Sequence, residues 1–243
     1  AMDLNEDPLG LTKAQYKAIF NCTNVEVHVD EKGVITSGHN PSSGLNVRLG
    51  VEYKPKAKAK LWMQVLNEIF ADKPDKEDLI RHFHEYLGYH LQTSRSIPVF
   101  GIWKGKGANG KSLLTEIFIA MLGHQAVSAQ EMSNFEQSKS SAHAYAGLVG
   151  KHLLVDKDLA EGSYLPDSLL KKLEGSMLTA NPKFKSEFQF YNRALALMLS
   201  NHWPKIRDTS YGIQRRAMVI EFTKIIKKED QDKTLQRRII ETE

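Results

Sequence analysis

The stretch GKGANGKS, residues 105–112, constrains this chain more than any other feature. Its spelling, G-x-x-x-x-G-K-S, is a specification for the backbone. Glycines let successive N–H groups curl inward toward phosphate oxygens, and Gly110 permits close approach. Lys111 would reach the outer phosphates, and the Ser112 hydroxyl suits a magnesium ion. A helix starting there adds the positive end of its dipole. The flanks agree. The apolar run IPVFGIW precedes the loop, and Leu114, Ile117, Phe118 and Met121 form a stripe after it, with Gly123 as a stop. Gly105, Lys106, Gly107, Ala108, Asn109 and Gly110, with Lys111 and Ser112, are therefore candidate ligands for ATP and Mg²⁺. The bland alternative is a glycine-rich surface turn.

The rest of the chain reads as an α/β protein. From residue 96, short apolar runs alternate with helical patterns: IPVFGIW, SLLTEIFIAML, KHLLVD, DSLLKKLEG, RALALMLSN, RRAMVIEF. Continuous apolar runs suit buried strands, so a three-layer α/β fold is expected over 96–226. Pro98 belongs at a strand's start. Helical spacing of Trp62, Val65, Leu66, Ile69 and Phe70, then of Leu79, Ile80, Phe83, Tyr86 and Leu87, predicts two helices over 61–95. KPKAKAK, 54–60, reads as a basic linker of solvated lysines. Residues 1–53 are expected to be a small mixed α+β piece. Within it LTKAQYKAIF suits a short helix, and alternation at Val25, Val27 and Val29, and again from Leu45 to Tyr53, suits an antiparallel sheet. Residues 227–243 are read as a helical tail.

Composition narrows the class further. The chain has 243 residues with 41% hydrophobic, enough for a substantial core, and its net charge of +4 says little about partners. Cys22 is the only cysteine, which excludes an internal disulfide and a cysteine metal site and favours a reducing, cytoplasmic setting. His82, His84 and His90 lack metal-site spacing. No apolar run approaches the roughly 20 residues of a membrane helix. The chain opens Ala1-Met2 and is read as a piece of a longer one.

A phosphate loop binds nucleotide, but hydrolysis needs an acid at a neighbouring strand end. HLLVDKD supplies Asp156, assigned to Mg²⁺, and Asp158, assigned to the attacking water. The two would share a face if the strand continues. The usual adjacent acid pair is absent, so the division of roles stays open, as does an acidic turn with no role. ALALMLSN ends at Asn201, which suits a hydrogen bond to the γ-phosphate and the water, although Ser-Asn after a strand is also a common turn. Arg215 and Arg216 precede an apolar run, and a guanidinium is a permanent bidentate phosphate partner that in ring ATPases reaches the neighbouring site. A solvated pair at a strand edge is the alternative.

Taken in order, GKGANGKS, LLVDKD, SLLKKLEG and LMLSNHWPKIRDTSYGIQRRAMVIEF resemble the superfamily 3 helicases, a branch of the AAA+ ATPases, and most of all the helicase part of phage and plasmid primase-helicases. The likeness covers roughly residues 60 to 226. It implies an AAA+-like core, a homo-hexameric ring and ATP-driven movement on single-stranded DNA. It also implies a pore hairpin between the acid and the asparagine, for which KFKSEFQF is the candidate. Here Phe184, Phe188 and Phe190 are expected on one strand face and Lys183, Lys185, Glu187 and Gln189 on the other. Lys183 and Lys185 would track phosphates and Phe184 would stack on bases. An ordinary half-buried strand is the alternative. Residues 1–53 would then be the tail of a priming or polymerase module. A P-loop kinase for a small molecule, a DNA-packaging motor and a non-catalytic nucleotide-binding clamp are the competing functions.

Overall fold

The computed structural model describes residues 18–30, 32–92, 95, 97–136, 138–173, 176–207 and 211–243. It begins with a small antiparallel sheet of β1 (Ala18–Asn21), β2 (Glu26–Asp30) and β3 (Gly33–Ser37). The valine alternation is the middle strand, and Val27 is its fully buried apolar residue. The short helix expected over 11–20 is not formed at its described end. Ala18 to Phe20 pair with β2 instead, and residues 11–17 lie outside the described set.

Two helices follow, α1 (Lys60–Ile69) and α2 (Lys76–Tyr89). Their buried residues include those of the apolar stripes: Trp62, Val65, Leu66 and Ile69 on the first, and Ile80, Phe83, Tyr86 and Leu87 on the second, with Tyr89 added at its end. The C-terminal carbonyls of α2 are closed by Arg95, which donates to Tyr89 and His90 carbonyls at 3.1 Å each. A cation at that end also complements the helix dipole.

The remaining elements build one parallel sheet with cover on both faces. They are β4 (Phe100–Lys104), α3 (Lys111–Leu122), β5 (Val127–Ala129), α4 (Ser138–Ala146), β6 (Leu153–Leu159), α5 (Asp167–Lys172), the hairpin strands β7 (Met177–Ala180) and β8 (Phe188–Tyr191), β9 (Leu195–Ser200), α6 (Tyr211–Gln214), β10 (Ala217–Glu221) and α7 (Leu235–Thr242). The parallel strands lie in the order β10-β4-β9-β6-β5. All six residues of β9 are buried, as a strand covered on both faces requires.

Side-chain parity divides the core into two layers. Trp103, Leu153, Val155, Leu197 and Leu199 face α3, α1 and α2, in a cluster that also takes in Val27 and Leu49. Phe100, Ile102, Leu154, Ala196 and Met198 face the other way, toward Leu148, Leu169 and Leu178. The three-layer α/β architecture expected from the sequence is therefore present.

The second alternating stretch, Leu45 to Tyr53, forms no ladder. Its one strand-type bridge is between Asn21 and Arg48; beyond that the β1–β2 turn holds it, with Thr23 N–H donating to the Val51 carbonyl at 2.9 Å and Tyr53 N–H to Asn24 Oδ1 at 2.9 Å, while the Gly50 N–H donates to the Met121 carbonyl at 2.9 Å. The segment lies against α3 so closely that a Cβ on Gly50 would stand 2.2 Å from the Ala120 carbonyl oxygen. Alternation marked which side is buried, but the segment is held by the end of α3 and by the end of β1 with its turn, and not by a ladder with a paired strand. Among the described residues, no helix is long and apolar enough to cross a membrane.

Candidate functional site

The glycine loop joins β4 to α3 at the carboxyl edge of the parallel sheet. Its turn depends on left-handed backbone at Gly107 (φ 92°), Ala108 (φ 48°) and Gly110 (φ 87°). Only glycine adopts this conformation readily. At Gly110 a Cβ would also meet Ile69 Cδ1 at 2.3 Å, a side-chain end that can turn aside, so it is the left-handed φ that requires glycine there. The loop is tied down from three directions. Gly105 N–H donates to Ser200 at the end of β9 (2.9 Å), Asn109 Nδ2 donates to the Phe222 carbonyl (3.2 Å), and the Ala108 carbonyl accepts from Ile226 N–H (2.7 Å). Gly110 gives helix α3 no side-chain cap; Lys111 N–H makes a long 3.5 Å contact to Asn109 Oδ1 and Leu114 N–H bonds the Gly110 carbonyl at 2.9 Å, which leaves the Ser112 and Leu113 amides directed at the loop.

Lys111 is buried. Its ammonium donates to the Gly105 carbonyl, to Asn109 Oδ1 at 3.3 Å and to Asn201 Oδ1 at 3.3 Å. Burial lowers its pKa from the ordinary lysine value, and the nearby negative charge of Asp158 opposes that shift. An enclosed cation beside unserved amides is a receptor for an anion. Asn201 reaches Lys111 because β9 lies between the loop strand β4 and the acidic strand β6.

The cleft around Lys111 has a volume of about 650 Å³. Gly107 to Ser112, Asp158 and Asn201 line it; Gly105 and Lys106 do not. The two aspartates do not share a face. Asp156 pairs with Met198, yet Leu159 pairs with Ser200, so three residues of β6 are spent on two of β9. That bulge reverses the strand's parity. Leu154 before it and Leu159 after it pack into the same layer, away from α3. Asp158 is thereby turned into the cleft with Lys111. Asp156 is buried outside it, accepting from Met132 N–H at 2.8 Å and Asp158 N–H at 3.2 Å. The expectation of a shared face is corrected by this bulge, and the magnesium role given to Asp156 has no cleft-facing carboxylate behind it.

The arginine pair lies elsewhere. Arg215 and Arg216 precede β10 at the amino edge of the sheet, opposite the glycine loop, and neither lines the cleft. Arg216 is half-buried and donates to the Gly212 carbonyl, whereas Arg215 is exposed. The candidate DNA-contacting residues also sit differently from the expectation. Lys183, Phe184 and Lys185 do not belong to a strand. They form the exposed tip between β7 and β8, closed by a Lys185 N–H to Pro182 carbonyl bond of 3.2 Å. Phe184 is fully exposed with φ 62°, a conformation a bulky side chain rarely adopts. A turn, and not strand alternation, sets where these three residues project.

Sequence reasoning missed several residues at the cleft. Glu116 and Lys157 pair across it at 2.6 Å. Val65 and Ile69 of α1, and Asp230 to Lys233 with Leu235 and Gln236, also line it. No local pattern marks these positions, because their role comes from where distant segments pack.

The fold and the cleft together define a P-loop α/β domain. The family model that matches residues 103–216 is described only as a family of unknown function, DUF5906. The match runs from the loop strand to the arginine pair and contains every candidate residue named from the sequence. Among solved structures, the apo A form of the NrS-1 C-terminal region matches with a TM-score of 0.59 at 15% identity, over 92% of this chain and 62% of that one. A second apo structure of the NrS-1 C-terminal region gives 0.58 at 16%, over 92% and 63%. JCV helicase matches at 0.49 and 15%, over 77% and 53%. At these identities the NrS-1 likeness establishes the fold, and this chain spans under two thirds of the NrS-1 chains it matches.

The bulge separates the two aspartates experimentally. If the cleft acts as a hydrolase site, Asp158→Asn should lower ATP turnover about 10²-fold with little change in melting temperature. Asp156→Ala should instead destabilise the fold by about 1–3 kcal/mol, because the buried Met132 N–H and the half-buried Asp158 N–H lose their acceptor. Phosphate release and thermal melting of both variants check this, and the reverse pattern would return the metal-side role to Asp156.

Proposed function

We propose that this protein hydrolyses ATP with Mg²⁺ in the cleft at Lys111 and uses the cycle to move on single-stranded DNA, as a ring of identical subunits in phage or plasmid replication. The observation that carries the reading is the buried Lys111 ammonium, held between Gly105 and Asn201 with Asp158 facing the same cleft. A triphosphate entering there replaces those neutral acceptors with anionic phosphate oxygens, turning the Lys111 contacts into ion pairs. The loop amides and the first turn of α3 take the remaining phosphate oxygens.

In this reading Ser112 and Asp158 would hold the metal. Among the described residues there is no group of three or more His, Cys, Asp or Glu fit for a metal ion. One hydroxyl and one carboxylate suit magnesium, which keeps several waters and shares phosphate oxygens. When bound, magnesium neutralises charge on the outer phosphates. Asn201 orients the attacking water by hydrogen bonding, and positioning supplies most of the rate. Exposed Arg215, remote from its own cleft, suits a neighbouring subunit's site.

The hairpin tip is the proposed DNA contact: two lysines for phosphates and an exposed ring for a base. Wild type should bind single-stranded DNA with a steep salt dependence. Lys183→Ala with Lys185→Ala should flatten the slope of log K against log salt by about 1.4, two phosphates' worth on a single strand. An unchanged slope takes the tip off the DNA path.

A further inference from the structure

Among the described residues three lysines line the cleft. Lys111 is buried at the end of the glycine loop, and Lys233 lies exposed on the C-terminal segment. The third, Lys157, comes from the bulge of β6. In a regular strand, neighbouring side chains face opposite sides. Here Lys157 and Asp158 both line the cleft, at the point where three residues of β6 are matched to two of β9. The charge of Asp158 acts on Lys111. Lys157 is paired instead with Glu116 of α3, its Nζ donating to Oε1 at 2.6 Å. Glu116 stands four residues after Ser112, about 6 Å along the axis on the same face of α3, and both line the cleft. Helical side chains lean toward the N-terminus, which carries this carboxylate back toward the phosphate loop.

To an ammonium, a carboxylate and a terminal phosphate offer the same thing, anionic oxygens at hydrogen-bond distance. The Lys157 side chain is 46% exposed and that of Glu116 33%, so water screens the pair and opening it costs little. A lysine is a compact charge on a flexible stem, which lets it be redirected without moving the backbone. Lys157 also projects from the same strand end as Asp158, the side of the cleft where the outer phosphate is expected. We propose that Lys157 is a γ-phosphate ligand that Glu116 holds while the cleft is empty, and that it exchanges the carboxylate for the phosphate when a triphosphate enters. A diphosphate is one group shorter and leaves the pair closed. The pair therefore makes the cleft tell ATP from ADP. This rests on the nucleotide reading above.

Calorimetric titration with magnesium, comparing a non-hydrolysable ATP analogue with ADP, tests the exchange. Lys157→Ala should weaken the analogue about tenfold and leave ADP affinity unchanged. Glu116→Gln keeps the side chain's size and removes its charge. It should tighten the analogue about threefold, because Lys157 no longer has a carboxylate to give up. In the double variant that gain should vanish, with an affinity equal to that of Lys157→Ala. A pair with only a structural role would weaken both ligands together in either variant. Equal losses for the analogue and ADP in Lys157→Ala, no change in either variant, or a Glu116→Gln gain that persists without Lys157 overturns the exchange while the nucleotide site stands. If neither ligand binds wild type, the nucleotide reading falls and the role of Lys157 falls with it.

Discussion

Replacing Lys111 with alanine is expected to abolish ATP hydrolysis, by at least about 10³-fold, in a protein that still folds. The ammonium is the buried cation of the cleft, and no other side chain among the described residues takes its place between Gly105 and Asn201. Its loss removes charge both from the bound triphosphate and from the transition state, where the charge shifts outward. Folding should be spared for a separate reason. Burial already works against the charged form of Lys111, so its removal relieves a desolvation cost. The acceptors it leaves lie in or beside a cleft that water enters, which keeps the change in stability within about 1 kcal/mol. Phosphate release and a melting curve measure the two halves of this expectation. Ordinary turnover in the variant would remove the glycine loop from the reaction.

Arg215→Ala should be as severe, costing about 10³–10⁵-fold in turnover if the guanidinium completes a neighbour's site. The structure singles out Arg215 from the pair. Arg216 is half-buried and holds the turn at Gly212, while Arg215 projects from the sheet edge opposite its own cleft. ATP binding by Arg215→Ala should therefore persist. Mixing it with Lys111→Ala should restore part of the activity, since some interfaces then pair an intact loop with an intact arginine. Activity measured across mixing ratios gives the answer. A flat, inactive series would show that Arg215 does not act across an interface.

What the sequence disclosed and what it hid follow from the range of the forces involved. The glycine loop, α3 and the buried strands are set locally, by left-handed positions and by apolar runs too continuous for a surface. They were legible in one dimension. Asn201 was legible too, because β9 ends at Ser200. The direction of Asp158 was not. It depends on a bulge that exists only once β6 is paired with β9, and alternation alone assigned the two aspartates to one face. Strand β5, three residues long, carried too little pattern to be seen. The hairpin tip was misplaced because KFKSEFQF alternates in sequence while its first half is a turn. The cleft walls from α1 and the C-terminal segment were hidden most completely. Glu243 meets α1 across 182 residues at Leu61, and nothing local in either segment announces the other.

The most direct measurement is calorimetric titration of wild type and Lys111→Ala with a non-hydrolysable ATP analogue and Mg²⁺. Saturable one-to-one binding to wild type, lost or greatly weakened in the variant, is expected. Equal binding to both proteins, or none to wild type, would mean that Lys111 and its loop do not hold a triphosphate.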